Sequence, residues 1–330
     1  MSKLAPQDFD FFKGAGMTWR NDWDEGDANE SLIEHFADRA HKLARKRPGR
    51  RTVNSLLTEN QKPEDAIPNS KFADAGLQEL FERGLIIDLE WQLKSGKEAT
   101  VYVCTSDHAE NGLVAAKMYI DSRVRSFKND AMYREGRHVE SARLQKAIDQ
   151  RSSTGVDAQN YLWVSEEFAQ MTYLVNAGIP APKPLARSEV GSVILMEFIG
   201  DQDGAAPRLA DVQLTREQAQ NAFEQSVRNL GLILGSGRVH GDYSTFNILW
   251  WQQQCIVIDF PQVVEIQANP RAQEILERDA AGLCRSFKHF GIRVEPSDVL
   301  RQARKIAREI VMARAYEEHN LPSFEMQEML

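Results

Sequence analysis

The sequence has few cysteines, no long hydrophobic run and no excess of positive charge, and each absence excludes a class of protein. Cys104, Cys255 and Cys284 are odd in number and far apart, which excludes a disulfide framework or a zinc-site spacing. We interpret them as buried side chains in a reducing compartment. The longest apolar runs, 193–199 and 255–260, each contain an acidic residue and are far shorter than the ~20 residues that cross a bilayer. We therefore expect no membrane span.

The overall charge is negative. The 330 residues include 40 Lys and Arg against 48 Asp and Glu, a net charge of −8, whereas a dedicated nucleic-acid-binding domain is normally basic. The N-terminal MSKLAPQDFDFF carries acidic residues where a signal peptide needs a continuous apolar core, so we expect a cytoplasmic protein. The basic block at 41–51 is the local exception and is a candidate contact for RNA or an acidic partner.

Composition divides the chain into three parts. Residues 1–71 combine blocks of like charge with a polar, proline-containing stretch at 58–70, which predicts a weakly ordered arm. Residues 72–292 have the apolar periodicity of a compact domain, and residues 293–330 predict a C-terminal helix followed by an acidic tail. We therefore expect an α+β fold in which a β-rich part precedes an α-rich part.

Apolar spacing and turn residues predict the order of elements within the compact part. The first half is expected to hold a helix ending at Gly84, a three-strand antiparallel meander over 85–120, a mobile insertion at 121–160, a helix ending at Gly178 and a buried strand at 192–200. In the second half, Thr215 begins a long helix with a capping box. Two strands, ILWW and CIVIDF, and helices at about 270–290 and 298–317 follow.

The first chemical signal is a lysine within an apolar strand. Lys117 lies in LVAAKMYI, where an ammonium needs a partner and could reach the phosphates of a nucleotide. Glu167 is a better candidate partner than Glu166, because it lies four residues before Met171 on the apolar side of the following helix.

The second signal is an H-x-D-x-x-x-x-N pattern in HGDYSTFN at 240–247. Asp242 would orient or deprotonate an attacking hydroxyl, and Asn247 and Asp259 would bind the magnesium that bridges the phosphates. We interpret His240 as a structural residue of this loop. The order of these residues indicates nucleotide-dependent phosphoryl transfer, although a G-x-G-x-x-G loop is absent. KSGKEATVY offers Gly96, and beside it Ser95 and Lys97 as phosphate contacts.

These motifs resemble those of the RIO family of atypical serine/threonine protein kinases, particularly its bacterial members. The resemblance rests on SGKEATVY, AAKMY, EEFAQM, GIPAPKPL, VILMEFIG, HGDYSTFNIL and VIDFPQVVE and covers roughly residues 72–292. It implies a bilobed protein-kinase-like fold, with an N-lobe at 72–197 and a C-lobe at 200–292, without an activation loop or a peptide-binding subdomain.

The resemblance also implies roles for individual residues. Ser95, Gly96 and Lys97 would contact the phosphates of ATP, and Lys117 would pair with Glu167. Asp242 would be the catalytic aspartate, and Asn247 and Asp259 would bind Mg²⁺, or Mn²⁺ in its place. The adenine side would be formed by the following segment: Met196 as gatekeeper, then the hinge residues Glu197, Phe198 and Ile199.

The family's activities set the expected function and partners. They imply serine autophosphorylation and cycles of ATP hydrolysis, the latter through a phosphorylated aspartate that would be Asp259 here. Archaeal and eukaryotic members act in small-subunit ribosome maturation, which makes a ribosomal particle a candidate partner of the block at 41–51, beside an unknown protein substrate.

Two other functions share part of the pattern. Small-molecule kinases of the aminoglycoside or choline kinase type also use an HGD loop with a downstream asparagine and aspartate, but they lack the S-G-K-E-A loop. An ATP-sensing module would keep the nucleotide-binding residues and lose the catalytic aspartate, whereas Asp242 is present.

Overall fold

The computed structural model describes residues 56–57, 70–96, 99–119, 146, 153–189 and 192–319. The basic block at 41–51, Lys97 and most of the predicted insertion lie outside these ranges. None of the helices in the described ranges combines the length and the apolar character that crossing a lipid bilayer requires.

A five-stranded antiparallel sheet with two helices forms the first part of the fold. Its elements are α1 (Ala75–Glu82), β1 (Asp88–Ser95), β2 (Ala99–Thr105), β3 (Leu113–Tyr119), α2 (Ser153–Asn176), β4 (Pro184–Arg187) and β5 (Val193–Glu197). The strand order is β1-β2-β3-β5-β4, so the predicted meander is present. β3 lies in the middle of the sheet, paired with β2 and β5.

Two boundaries in this part differ from the sequence-based expectation. β1 begins at Asp88 rather than at Leu85, because the chain first completes the turn after α1, in which the Leu85 N–H bonds to the Leu80 carbonyl. α2 begins at Ser153, within the predicted insertion and ten residues before Trp163. The polar segment RSSTG is favourable for a turn, but its last three residues are the first turn of a 24-residue helix.

The second part is mainly helical. Its elements are β6 (Gly200–Asp201), β7 (Gly204–Ala205), α3 (Arg216–Gly235), β8 (Arg238–Val239), β9 (Ile248–Trp251), β10 (Gln254–Val257), β11 (Val264–Glu265), α4 (Ala272–Phe287) and α5 (Pro296–His319). The predicted capping box is present, because Thr215 accepts from the Gln218 N–H and Gln218 returns a bond to the Thr215 N–H. Only 12 residues separate Asp259 from the start of α4, so this stretch contains no activation loop.

Within the described ranges, the two largest hydrophobic cores lie one in each part of the fold. One lies between α1 and one face of the sheet and includes Leu77, Leu80 and Tyr102. The other fills the helical part, and α2 contributes Met171 and Leu174 to it. Although α2 follows β3 in the chain, its apolar side chains join the helical core, and the helix also lies against β4 and β5 of the sheet. This is a bilobed kinase-like α+β fold, as predicted.

Candidate active site

Lys117 is the centre of a group of buried charges. It lies in β3, and its side chain is 12% exposed. Its Nζ donates to Glu167 Oε1 at 2.6 Å and to Asp259 Oδ1 at 2.9 Å. Three elements that are far apart in sequence thus meet at one ammonium group, which has three N–H donors and keeps one for a further acceptor.

These charges alter one another's protonation. Burial would lower the pKa of Lys117, but the carboxylates of Asp259 and Glu167 outweigh it and raise that pKa well above its usual value. Burial would likewise raise the pKa of Asp259, but the neighbouring Lys117 ammonium holds it below its ordinary value, and the charge of Lys94 contributes in the same direction. Lys117 and Asp259 are therefore both charged near neutral pH.

Tyr119 is a member of this group that the sequence analysis did not identify. Its hydroxyl bonds to Glu167 Oε2, so Lys117 and Tyr119 occupy the two oxygens of a carboxylate that is only 2% exposed. Burial and the Glu167 charge raise the pKa of Tyr119 well above its usual value, so the phenol stays protonated. The sequence contained a signal for this residue. Tyr119 lies two positions after Lys117 in β3, and residues two apart on a strand point to the same face of the sheet.

The loop between β8 and β9 brings Asp242 and Asn247 together. The Asn247 side-chain amide donates to the Asp242 carbonyl at 2.8 Å and to Asp242 Oδ2 at 2.9 Å. This bonding leaves the Asn247 Oδ1 oxygen as its side-chain acceptor. The Asn247 carbonyl accepts from the Ile258 N–H, which joins the loop to the segment that ends in Asp259. Asp242 itself is exposed and available to a substrate.

His240 stabilises this loop through hydrogen bonds and ring contacts. Its ring is fully buried and contacts the rings of Tyr243 and Phe260. Nδ1 accepts from the Asp242 N–H, and Nε2 lies 3.3 Å from the Ile258 carbonyl, which is the bonding of a neutral imidazole protonated at Nε2. Burial lowers the pKa of His240, in agreement with the neutral form. Its bonding is that of a structural residue.

Asp279 is a second group that the sequence analysis did not identify. It is buried in α4, and its two oxygens accept from the N–H groups of Gly241 and Tyr243, both at 2.9 Å. Asp279 thus holds the backbone on both sides of Asp242. A sequence signal existed, because Asp279 lies at i+4 from Ile275 and i−4 from Leu283 on the apolar face of the helix.

Asp259 has a left-handed backbone conformation, with φ of 72°. This conformation is unfavourable for residues other than glycine, and aspartate tolerates it better than most. It occurs where the chain leaves β10 and turns the Asp259 side chain toward Lys117. Local strain at a functional side chain is a recurrent feature of active sites.

The described residues of the predicted phosphate loop lie at the end of β1 and in the turn that follows it. Ser95 ends β1, and Gly96 forms the turn to β2 through a bond from its N–H to the Ala99 carbonyl. The neighbouring Lys94 is close enough for its charge to lower the pKa of Asp259, which brings this turn to the Lys117 side of the cleft. Lys97 is outside the described residues.

The predicted adenine side of the cleft follows β5. Met196 and Glu197 are half-buried at the end of the strand, and the Glu197 N–H donates to the Lys183 carbonyl. Phe198 is buried. The Ile199 carbonyl accepts from the Ala206 N–H, which closes the short β6–β7 hairpin behind the segment.

The oxygen donors at the cleft suit magnesium. Asp259 supplies a carboxylate and Asn247 an amide oxygen, and Mg²⁺ in phosphoryl-transfer sites is commonly bound by one or two such groups together with substrate phosphates. Among the described residues, no group of three or more His, Cys, Asp or Glu side chains forms a metal site by itself. The residues thus fit an ion that is shared with a nucleotide.

Comparison with known proteins gives one consistent result. The family model of the RIO domain matches residues 100–299. A RIO-type serine/threonine-protein kinase Rio1 of Haloferax volcanii is 28% identical over 282 residues, covering 84% of this chain and 88% of the relative. The serine/threonine-protein kinase RIO1 of Caenorhabditis elegans is 28% identical over 264 residues, and the match spans about half of its length, 46%.

A solved structure agrees at the level of the fold. The Rio2 kinase of Chaetomium thermophilum, described as an ADP/Mg²⁺-phosphoaspartate complex, has a TM-score of 0.51 and 18% sequence identity over 95% of this chain and 92% of its own. At this identity the likeness concerns the fold alone.

Proposed function

Because this chain belongs to the RIO domain family, we propose that it is an ATP- and Mg²⁺-dependent atypical serine/threonine protein kinase that phosphorylates itself, hydrolyses ATP in cycles, or does both. The observation that carries the proposal is the meeting of Lys117, Glu167 and Asp259 in one cleft with the bonded pair Asp242 and Asn247.

Each residue has a role that its contacts support. Glu167 fixes the Lys117 ammonium, whose remaining N–H would bind a nucleotide phosphate. The Asn247 amide oxygen and the Asp259 carboxylate would hold Mg²⁺, which when bound neutralises phosphate charge. Asp242, exposed and oriented by Asn247, would accept the proton of the acceptor hydroxyl as that oxygen forms its bond to the γ-phosphorus.

The nucleotide would lie between the two parts of the molecule. Ser95, Gly96 and Lys97 would contact its phosphates from the β1–β2 turn, and Met196, Glu197 and Ile199 would border the adenine. For ATP hydrolysis, Asp259 is a candidate phosphoryl acceptor, because the related Rio2 structure is described with a phosphoaspartate. The γ-phosphoryl group would pass to a carboxylate oxygen, releasing ADP, and water would then release phosphate.

The catalytic part of the proposal is tested by incubating the protein with Mg²⁺ and ATP labelled at the γ-phosphate. We expect label on serine and release of phosphate. Asp242→Ala should abolish serine labelling, and Lys117→Ala should raise the KM for ATP and lower kcat, together by at least about 100-fold in kcat/KM. Asp298→Asn and Lys305→Ala, on the surface of α5, are matched controls that should leave both activities unchanged.

Other outcomes would replace the proposal. Turnover that requires an aminoglycoside or choline would identify a small-molecule kinase. Nucleotide affinity without labelling or phosphate release would identify an ATP-sensing module. An unchanged kcat/KM in Lys117→Ala would remove Lys117 from the nucleotide site.

The partners and the location are proposed from charge and cysteine chemistry. The basic block at 41–51 is a candidate contact for RNA or a ribosomal particle, because clustered Lys and Arg neutralise phosphates. Co-sedimentation with ribosomal particles, with and without ATP, tests this contact, and loss of sedimentation after Arg-to-Ser changes in the block would support it. The three cysteines are all free and buried, as suits a cytoplasmic protein.

A further inference from the structure

A group of contacts around the buried Arg238 side chain joins α2 to the strand that leads into the Asp242 loop. It consists of Arg238, Gln170, Tyr173 and Glu265, and we refer to it as the Arg238 cluster. We propose that Arg238 is a positioning residue that fixes α2, and with it Glu167, relative to the catalytic loop. The inference rests on the proposed function, since Glu167 matters for catalysis through the lysine that would bind nucleotide phosphates.

Arg238 makes three side-chain contacts, two with α2 and one with β11. Its Nε donates to Gln170 Oε1 of α2 at 3.1 Å, and its guanidinium lies over the Tyr173 ring of α2, 4.3 Å from the ring centroid. Its Nη1 is 3.3 Å from Glu265 Oε1, the residue that pairs with Arg238 between β8 and β11. The Tyr173 hydroxyl adds a bond of 2.6 Å to the Ser236 carbonyl.

Arginine is well suited to this position. Arg238 is only 6% exposed, and a buried charge is strongly unfavourable without partners. A planar guanidinium can stack on an aromatic ring while its edge donates to two different acceptors, whereas a lysine ammonium cannot do both. The three contacts therefore specify the residue type and the relative placement of α2 and β8.

The placement of α2 determines where Glu167 lies. Gln170 follows Glu167 by three residues, less than one helical turn, and its Nε2 also bonds to Glu166 Oε1. On the other side of the Gln170–Arg238 hydrogen bond, Arg238 precedes Asp242 by four residues. The 2.6 Å contact between Glu167 and Lys117 thus depends on a helix whose following turn is tied to the strand before the catalytic loop.

A thermodynamic cycle tests whether Arg238 acts through Glu167. The four proteins are wild type, Arg238→Gln, Glu167→Gln and the double variant, and the readouts are kcat/KM for ATP hydrolysis and the affinity for MgADP by calorimetry. We expect Arg238→Gln to lower kcat/KM on the order of tenfold, because small displacements of catalytic groups have effects of this size or larger. In the Glu167→Gln background the same change should have less than about a twofold effect on either readout.

A merely structural role predicts a different result. Loss of folded protein would lower kcat/KM by the same factor in both backgrounds, and that outcome would overturn the inference. Arg238→Lys should recover little of the loss, because lysine cannot form the stacked, two-acceptor arrangement. Val299→Ala, a truncation of a buried residue of α5 outside the Arg238 cluster, is the control for stability and should leave kcat/KM unchanged below its melting temperature.

Hydrogen exchange provides a readout that does not depend on nucleotide. In Arg238→Gln, the amides of residues 163–176 should exchange faster, while those of 299–311 in α5 should not. An equal rise in both segments, or none, contradicts the inference. If Arg238→Gln does not fold, Gln170→Leu removes the α2 acceptor alone and should give a smaller loss in the same direction. A wild-type protein that binds no MgADP would instead refute the proposed function.

Discussion

Three carboxylates around the cleft differ in charge and bonding because their neighbours differ. Asp259 faces an ammonium, which lowers its pKa. Glu167 has both oxygens occupied, by Lys117 and Tyr119. Asp279 accepts from two backbone N–H groups and has no ion-pair partner within 4.0 Å among the described residues; burial raises its pKa to about 7, against the opposing effect of the Tyr243 and Gly241 bonds. The same side-chain chemistry thus forms an ion pair at Asp259, orients the lysine at Glu167 and anchors the loop at Asp279.

The raised pKa of Asp279 predicts a pH-dependent stability. The folded state binds this proton more tightly than the unfolded chain, in which the pKa is about 4. Its contribution to the free energy of unfolding is therefore largest at low pH and decreases as the pH rises from about 4 to about 7. Above pH 7 no further change is expected.

Asp279→Asn isolates this contribution. The difference in unfolding free energy between wild type and Asp279→Asn, measured by urea denaturation, should shift against the wild type between pH 5 and pH 7.5. All other titrating groups cancel in the difference. A difference that is constant over this range would show that Asp279 does not titrate there.

At the scale of elements, α2 connects the two parts, because it lies against β4 and β5 of the sheet and contributes Met171 and Leu174 to the helical core. α3 and α5 pack closely, because α3 has glycines where the two helices meet. A Cβ on Gly231 would lie 2.7 Å from Ile306 Cβ and 3.0 Å from the Ala303 carbonyl oxygen.

This close packing predicts the effect of adding a methyl group to α3. Gly231→Ala gains about 1 kcal/mol of helix propensity, but overpacking costs about 1 to 3 kcal/mol, and here the contact includes backbone. We expect net destabilisation in thermal or urea unfolding. Gly235→Ala, whose Cβ would meet its neighbours at 3.2 to 3.3 Å, should be destabilised less.

A second substitution that removes the contact between α3 and α5 is the control for Gly231→Ala. Ile306→Ala combined with Gly231→Ala should be less destabilised than the sum of the two single variants, because the truncated side chain makes room for the added methyl. Additive losses would show that the helices do not pack through this contact.

At the scale of the whole molecule, the cleft lies between two separately packed cores. The sheet contributes Lys117, and the helical part contributes Asp242, Asn247 and Asp259. Lys117 of the first part contacts Asp259 of the second directly, so one ion pair links the two parts at the site itself. A ligand that binds both parts should therefore stabilise the folded molecule.

Nucleotide binding is predicted to raise the melting temperature. At a ligand concentration 100 times the Kd, the stabilisation is about 2.7 kcal/mol, which corresponds to roughly 5 to 10 °C for a domain of this size. The shift with ADP should be larger with Mg²⁺ than with a chelator. Asp259→Asn should lose the magnesium-dependent part, and an equal shift with and without Mg²⁺ in wild type would contradict the metal role of Asp259 and Asn247.

Local sequence patterns predicted the elements well where one face is apolar. Thr215 and Gln218 predicted the start of α3, and the alternation in 99–119 predicted two strands of the meander, because these signals depend on neighbouring residues alone. The helix predicted at about 298–317 is present as α5, and it packs on α3. The predicted start of α2 was wrong, because the first turn of this helix is polar and lacks the apolar spacing on which the prediction depended.

What the sequence determined by itself was the order and type of the elements and the residue types that phosphoryl transfer requires, since periodicity, caps and short motifs are local properties of the chain. Only the tertiary structure decided which distant groups meet. Tyr119 bonds to Glu167 across 48 residues, Asp279 to the Gly241 N–H across 38, and Arg238 to Gln170 across 68. Spacing along the chain could have marked Tyr119 and Asp279 as candidates, but the partners of all three residues depend on how the helices and the sheet pack.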